Sequence, residues 1–216
     1  MYGSLRWGMD RIKTARIIAV IIAAAGVVEM LGWLFNIQVL KSVHPSMVTM
    51  KFSTSLSFFL SGITLFFIAE SMRGRASVAQ VVLPATTLII MLIMATLLAS
   101  ALLGLKTGIE DLFVEEEATA VKTTVPGRPS LVTMADFIAL AAAGIGSLFR
   151  YGGQKRLLFF SGAFIVATGA LALSGYALGI EYLYFSWPGV STGMALVTAV
   201  LFALLGAGLI ILSGAV

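Results

Sequence analysis

The sequence predicts an all-α integral membrane protein of six transmembrane helices, arranged as three tandem parallel hairpins in a pseudo-threefold bundle. Composition is the first ground. Of 216 residues, 59% are hydrophobic and 11% charged, and mean hydropathy is +1.03, whereas a soluble domain carries about 25% charged residues. A chain this short could not hide so much apolar surface in water, which excludes a soluble enzyme. The second ground is six apolar runs of membrane-crossing length. The third is a motif that recurs three times.

Crossing a hydrocarbon core of about 30 Å takes roughly 20 apolar residues in a helix. The runs are Ile17–Phe35, Val48–Ile68, Val81–Leu105, Leu131–Phe149, Leu157–Ile180 and Val190–Ser213. They are continuously apolar rather than alternating, which selects helices over a barrel. Pro84 falls in the first turn of the third run, where a missing N–H costs little. The first run is too long for the core of a signal peptide and lacks a clean cleavage site after it, so it reads as a retained span.

Basic residues mark the cytoplasmic side. Arg6, Arg11, Lys13, Arg16, Arg73, Arg75, Arg150, Lys155 and Arg156 share one side of a six-span chain, opposed there by Asp10 and Glu70. The other side mixes Lys41, Lys51, Lys106, Lys122 and Arg128 with Glu110, Asp111, Glu115, Glu116, Glu117 and Glu181. A multi-pass protein of the cell membrane with both termini cytoplasmic is the expectation. Residues 106–130 form its extracytoplasmic acidic loop, in which Glu115-Glu116-Glu117 reads as a solvated face or as a docking surface for a cationic ligand or partner. The net charge of +4 is spread in the pattern of membrane orientation, not in a nucleic-acid-binding patch.

The repeat has two elements. Gly32-Trp-Leu-Phe-Asn-Ile37-Gln-Val-Leu40, Gly104-Leu-Lys-Thr-Gly-Ile109-Glu-Asp-Leu112 and Gly175-Tyr-Ala-Leu-Gly-Ile180-Glu-Tyr-Leu183 share Gly-x-x-x-[Asn/Gly]-Ile-x-x-Leu. Pro45, Pro129 and Pro188 then precede Met50, Met134 and Met194, and Gly62, Gly146 and Gly206 each follow their Met by 12 residues. The copies cover about residues 14–74, 78–152 and 155–215 of one membrane domain spanning 1–216. Asn or Gly tolerates the left-handed backbone that stops a helix. A Ser or Thr after the proline caps the next one, and glycine inside it lets a neighbouring backbone approach.

Segments Gly32–Ser42, Met47–Gly62 and Gly175–Leu209 resemble the N-terminal membrane region of prokaryotic PAS-containing sensor histidine kinases and related cyclases. The resemblance implies a sensory or anchoring module without chemistry of its own. Such proteins continue into output domains, and the sequence given ends at Val216. The expectation is therefore either a part of a longer sensor or a relative that signals through a cytoplasmic partner or as a homo-oligomer. A small transporter or channel and a structural subunit of a larger membrane complex are the alternatives.

Candidate residues follow from cost. Glu29 lies inside the first span, where an ionisable side chain is expensive and marks function or a buried hydrogen bond. Asp136, two residues after Met134, could cap its helix or pair with Lys51 or Lys106. His44, with Met47 and Met50 beside it, is a third candidate ligand-binding position, although no metal set is complete. Absence of cysteine and a single histidine exclude thiolate and multi-histidine centres. No catalytic set and no cofactor is called for. Trp33, Tyr182, Tyr184 and Trp187 read as an interfacial aromatic belt.

Overall fold

A computed structural model describes residues 2–73, 76–112, 114–116, 120–149, 153–187 and 189–215. Arg75, Glu117, Arg150 and Pro188, and the side chain of Arg6, lie outside the described residues. Seven helices form and no strand is found among the described residues: α1 (Tyr2–Leu34), α2 (Gln38–Lys41), α3 (Phe52–Met72), α4 (Ala76–Leu103), α5 (Leu131–Gly146), α6 (Gln154–Leu178) and α7 (Leu196–Ser213).

Five helices are long and apolar enough to cross a membrane: α1 from Gly8, α3, α4 from Ser77, α6 and α7. At 1.5 Å per residue the 33 residues of α1 span about 50 Å, so its basic first turns extend past the roughly 30 Å apolar layer. Pro84 sits inside α4, two turns in, not at its first turn. The fourth expected span is shorter than the sequence implies. Helix α5 has 16 residues, about 24 Å, because Gly144 and Gly146 weaken its end and the Ser147 hydroxyl bonds back to the Ala143 carbonyl at 2.7 Å.

Three helices occupy the centre. Phe58 of α3, Phe137 of α5 and Phe202 of α7 are fully buried, with ring centroids 4.8, 4.9 and 5.0 Å apart. Edge-to-face and tilted contacts of this kind add about 0.5–1.5 kcal/mol each beyond burial. Helices α1, α4 and α6 lie outside this hub and expose Val20, Leu92 and Phe160. The pairs α1/α3, α4/α5 and α6/α7 pack along their lengths, while α3 also meets α4, α5 meets α6, and α7 returns to α1.

Two of these pairs approach at backbone distance. A Cβ at Gly62 would stand 2.6 Å from the Ala19 carbonyl oxygen, and one at Gly26 would stand 2.7 Å from that of Ser55. Between α6 and α7, a Cβ at Gly206 would stand 2.5 Å from the Gly162 oxygen, and one at Gly169 would stand 2.8 Å from that of Ala199. Such contact suits helices that pack by van der Waals fit instead of apolar burial. In α5, Gly144 sits against a neighbour: its Cβ would meet Thr87 and Thr64 side chains, whose helices are joined by a 2.8 Å contact of the Thr64 and Thr86 hydroxyls. Gly146 is half-buried.

The helix ends differ among the three segments. After α1 and α6, Asn36 (φ 53°) and Gly179 (φ 69°) take the left-handed conformation. Ile37 N–H and Ile180 N–H then donate to the carbonyls of Gly32 and Gly175 at 2.8 and 2.9 Å. Helix α4 stops four residues sooner. There Gly104 itself is left-handed (φ 66°), and Leu105 N–H donates to the Ser100 carbonyl at 3.0 Å. Of the expected hydroxyl caps, Ser130 accepts from Thr133 N–H at 3.0 Å, while Lys51 and Ala195 begin α3 and α7 without a side-chain cap.

Candidate functional site at the acidic end

The described residues of 106–130 fold back across the helix ends and are tied to the segments on both sides. Gly127 permits the fold: its φ is 72°, and a Cβ there would collide with the Glu110 carbonyl oxygen, leaving room only for hydrogen.

Glu110 and Arg128 anchor the loop to α4. Glu110 Oε1 accepts from Ser100 Oγ at 2.6 Å and from Arg128 Nη2 at 2.7 Å. Its Oε2 accepts from Thr107 N–H at 3.2 Å and Thr107 Oγ1 at 3.1 Å, and Arg128 Nη2 also reaches the Leu105 carbonyl at 2.6 Å. Both side chains are almost entirely buried. Burial alone pushes the Glu110 carboxyl up, but the Ser100, Arg128 and Thr107 donors outweigh it and bring its pKa down to about 2.

A second buried pair ties the loop to the start of α3. Lys51 Nζ pairs with Glu116 Oε1 and donates to Thr123 Oγ1 at 2.8 Å, while Glu116 Oε2 accepts from Gly127 N–H at 2.8 Å. Burial lowers the Lys51 pKa, and Glu116 opposes that shift. A third set reaches the α6–α7 segment. Lys122 Nζ donates to Tyr184 Oη at 2.6 Å and pairs with Glu181 at 2.8 Å. The Lys122 carbonyl accepts from Gly193 N–H at 3.0 Å, and Thr124 Oγ1 donates to the Ser191 carbonyl at 2.8 Å. Burial depresses the Lys122 ammonium, yet its bonds to Glu181 and Tyr184 raise its pKa overall.

Beside this strap lies a polar vestibule of about 630 Å³ lined by Trp33, Asn36, Lys41, Thr49, Glu115 and Glu116 among others. Its walls are held in place. Trp33 Nε1 donates to the Met50 carbonyl at 2.8 Å, and Lys41 Nζ sits 4.9 Å above the Trp33 ring while donating to Asn36 Oδ1 at 2.7 Å. Behind it, a narrow cleft continues past Lys51, Ser53 and Glu110; the buried Ser53 hydroxyl has no hydrogen-bond partner. Glu115 remains exposed at the rim. The arrangement can hold a small polar or charged solute.

The sequence-derived candidates occupy separate places. Glu29 is 5% exposed, one turn past the Gly26 contact, and its Oε2 has no hydrogen-bond partner. Asp136 is fully buried and accepts from Thr168 Oγ1 of α6 at 2.9 and 3.0 Å. It neither caps its helix nor meets Lys51 or Lys106, which pair with Glu116 and Asp111. His44 is exposed and spends Nδ1 on the adjacent Ser46, 2.8 Å away. Met50, Met134 and Met194 are buried in the core. Gly32 and Gly175 face Leu40 and Leu183 at distances that admit no side chain. Of the aromatic belt, Tyr182 and Trp187 are exposed, whereas Trp33 is buried and Tyr184 stacks on Tyr176 with centroids 4.0 Å apart.

Ser100, Glu110, Arg128 and Thr168 are not singled out by the sequence, and Lys51 enters there only as a possible partner of Asp136. One signal was available: Lys51 is the lone charge inside the apolar run Val48–Ile68, and an ionisable residue there is costly unless paired. No protein-family model, no curated protein and no solved structure matches this chain.

Proposed function

We propose that the chain is a membrane-embedded sensory or anchoring module in which occupancy of the vestibule at the acidic end alters hairpin packing and so reaches the basic end. The observation that carries this reading is the strap. Residues 106–130 join the second hairpin to the first through Lys51–Glu116 and to the third through Lys122–Glu181, with the vestibule beside them. A solute that competes for Glu116 or Lys41 thereby pulls on contacts shared by all three hairpins.

The tandem-hairpin architecture belongs to the same proposal, with the acidic end extracytoplasmic by the charge rule. Contacts that recur between the first and third hairpins, at sequence offsets of 143 or 144 residues, support it. Trp33 Nε1 donates to the Met50 carbonyl and Tyr176 Oη to the Met194 carbonyl, both at 2.8 Å. Met50 N–H donates to the Lys41 carbonyl and Met194 N–H to that of Tyr184. Gly62 lies against Ala19 as Gly206 lies against Gly162. At the basic end the Arg11 guanidinium lies over Gly214, beside the last carbonyls of α7, where a cation is favoured. That contact links the first and last helices where a cytoplasmic partner, a homo-oligomer or an output domain would receive the signal.

Transport is the second reading, favoured by one observation: the buried Glu29 Oε2 without a partner. Spin labels at Met9 and Ala215 separate the two. In the sensory reading, Glu116→Gln breaks the strap and shifts the distance distribution between those labels. An unchanged distribution, with the loop shown by proteolysis to be released, contradicts it. Solute flux in proteoliposomes that disappears in Glu29→Gln selects transport.

A further inference from the structure

At the basic end, residues 13, 16, 17, 20 and 21 of α1 follow the i, i+3, i+4, i+7, i+8 spacing of one helix face. Lys13, Arg16, Ile17, Val20 and Ile21 line a cleft of about 310 Å³ together with Phe66 of α3. The order along the helix is chemically graded. Two cations come first, at the end where α1 enters the bundle, and three exposed aliphatic side chains continue towards its middle.

The cations are in surplus. Glu70 is the acid buried here, and its Oε1 is shared between Arg16 Nε at 3.0 Å and Arg73 Nη1 at 3.3 Å. That ion pair lies at the inner guanidinium nitrogen of Arg16, which makes no hydrogen bond, and a third of the Arg16 side chain (32%) stays open. The guanidinium is also placed by the Phe66 ring, 4.9 Å from its centroid. Lys13 is exposed and takes part in no ion pair among the described residues. Asp10 lies one turn further towards the helix start, away from the aliphatic part of the cleft.

We infer that this cleft is a binding site for one anionic phospholipid, its phosphate held by Lys13 and Arg16 and one acyl chain lying along Ile17, Val20, Ile21 and Phe66. Charge complementarity selects the headgroup, and the graded face selects a lipid over a soluble anion, because an inorganic phosphate would leave the aliphatic groove unfilled. A zwitterionic lipid brings the same chain but no net charge. Each Lys or Arg close to anionic lipid contributes an attraction equivalent to about fivefold in affinity.

The test uses the full chain in detergent, titrated with dioleoyl phosphatidylglycerol, dioleoyl phosphatidylcholine or inorganic phosphate and read by native mass spectrometry. One phosphatidylglycerol should be retained in preference to phosphatidylcholine. Lys13→Gln, an exposed position whose loss leaves the packing intact, should weaken that retention about fivefold and Lys13→Gln with Arg16→Gln about 25-fold. Arg16→Lys should restore most of the second step if charge rather than the Glu70 pair matters. Equal retention of the two lipids, unchanged retention in Lys13→Gln, or displacement of the lipid by inorganic phosphate would overturn the assignment.

Discussion

Glu110 shows how a single residue in the strap is set by its donors. Its carboxyl would be raised by burial alone, but four hydrogen bonds from Ser100, Arg128 and Thr107 hold it ionised and bring its pKa from 4.5 to about 2. A carboxylate whose folded pKa is depressed contributes stability that is complete above the unfolded pKa and lost as pH falls through the folded one. The shift corresponds to on the order of 3 kcal/mol. Limited proteolysis of the 106–130 segment should therefore be constant from pH 7 to about 4.5 and should accelerate between there and pH 2; in Glu110→Gln the segment should be sensitive throughout. The sequence could not foretell this. It shows acids and bases in one loop, but which carboxylate meets which cation depends on the chain reversal at Gly127, a tertiary event. Asp136 is the same lesson inside the helices: its place in the chain suggested a cap, and its partner turned out to be Thr168 on another helix.

At the scale of elements, what was legible follows from how local each signal is. Five of the six apolar runs correspond to helices of crossing length, because hydropathy over 20 residues is a property of the run itself. The remaining run, Leu131–Phe149, gives a 16-residue helix, since two glycines near its end cost helix stability that hydropathy does not register. Likewise Gly104 matches Gly32 and Gly175 in sequence yet is left-handed where they are helical. The glycines that matter most are those facing backbone. Gly62→Ala and Gly206→Ala each push a Cβ into a carbonyl oxygen and should destabilise the fold by about 1–3 kcal/mol. Gly8→Ala, which meets nothing within 4 Å, should be neutral or stabilising by up to about 1 kcal/mol. Unfolding of the purified variants in mixed micelles measures both, and equal effects at all three positions would contradict close packing at Gly62 and Gly206.

For the whole molecule, the order of contacts is the fact from which the functional reading grows. Each long pair touches the next, and α7 returns to α1, around the hub of Phe58, Phe137 and Phe202. In the proposed sensory reading, a closed ring would carry a change at one seam to the other two, whereas an open row would not. The absence of native cysteine makes the closing seam directly testable by disulfide formation. A Cβ at Gly208 would stand 3.5 Å from Ile18 Cγ2, and its nearest neighbours are the flexible methyls of Leu65 and Ile18, which puts positions 18 and 208 near the Cβ separation that a disulfide needs. In native membranes, the double variant Ile18→Cys/Gly208→Cys should form an intramolecular disulfide on mild oxidation, while Ile18→Cys/Ile93→Cys, which joins α1 to a face of α4, should not. Failure of the first pair together with efficient cross-linking of the second would contradict the ring.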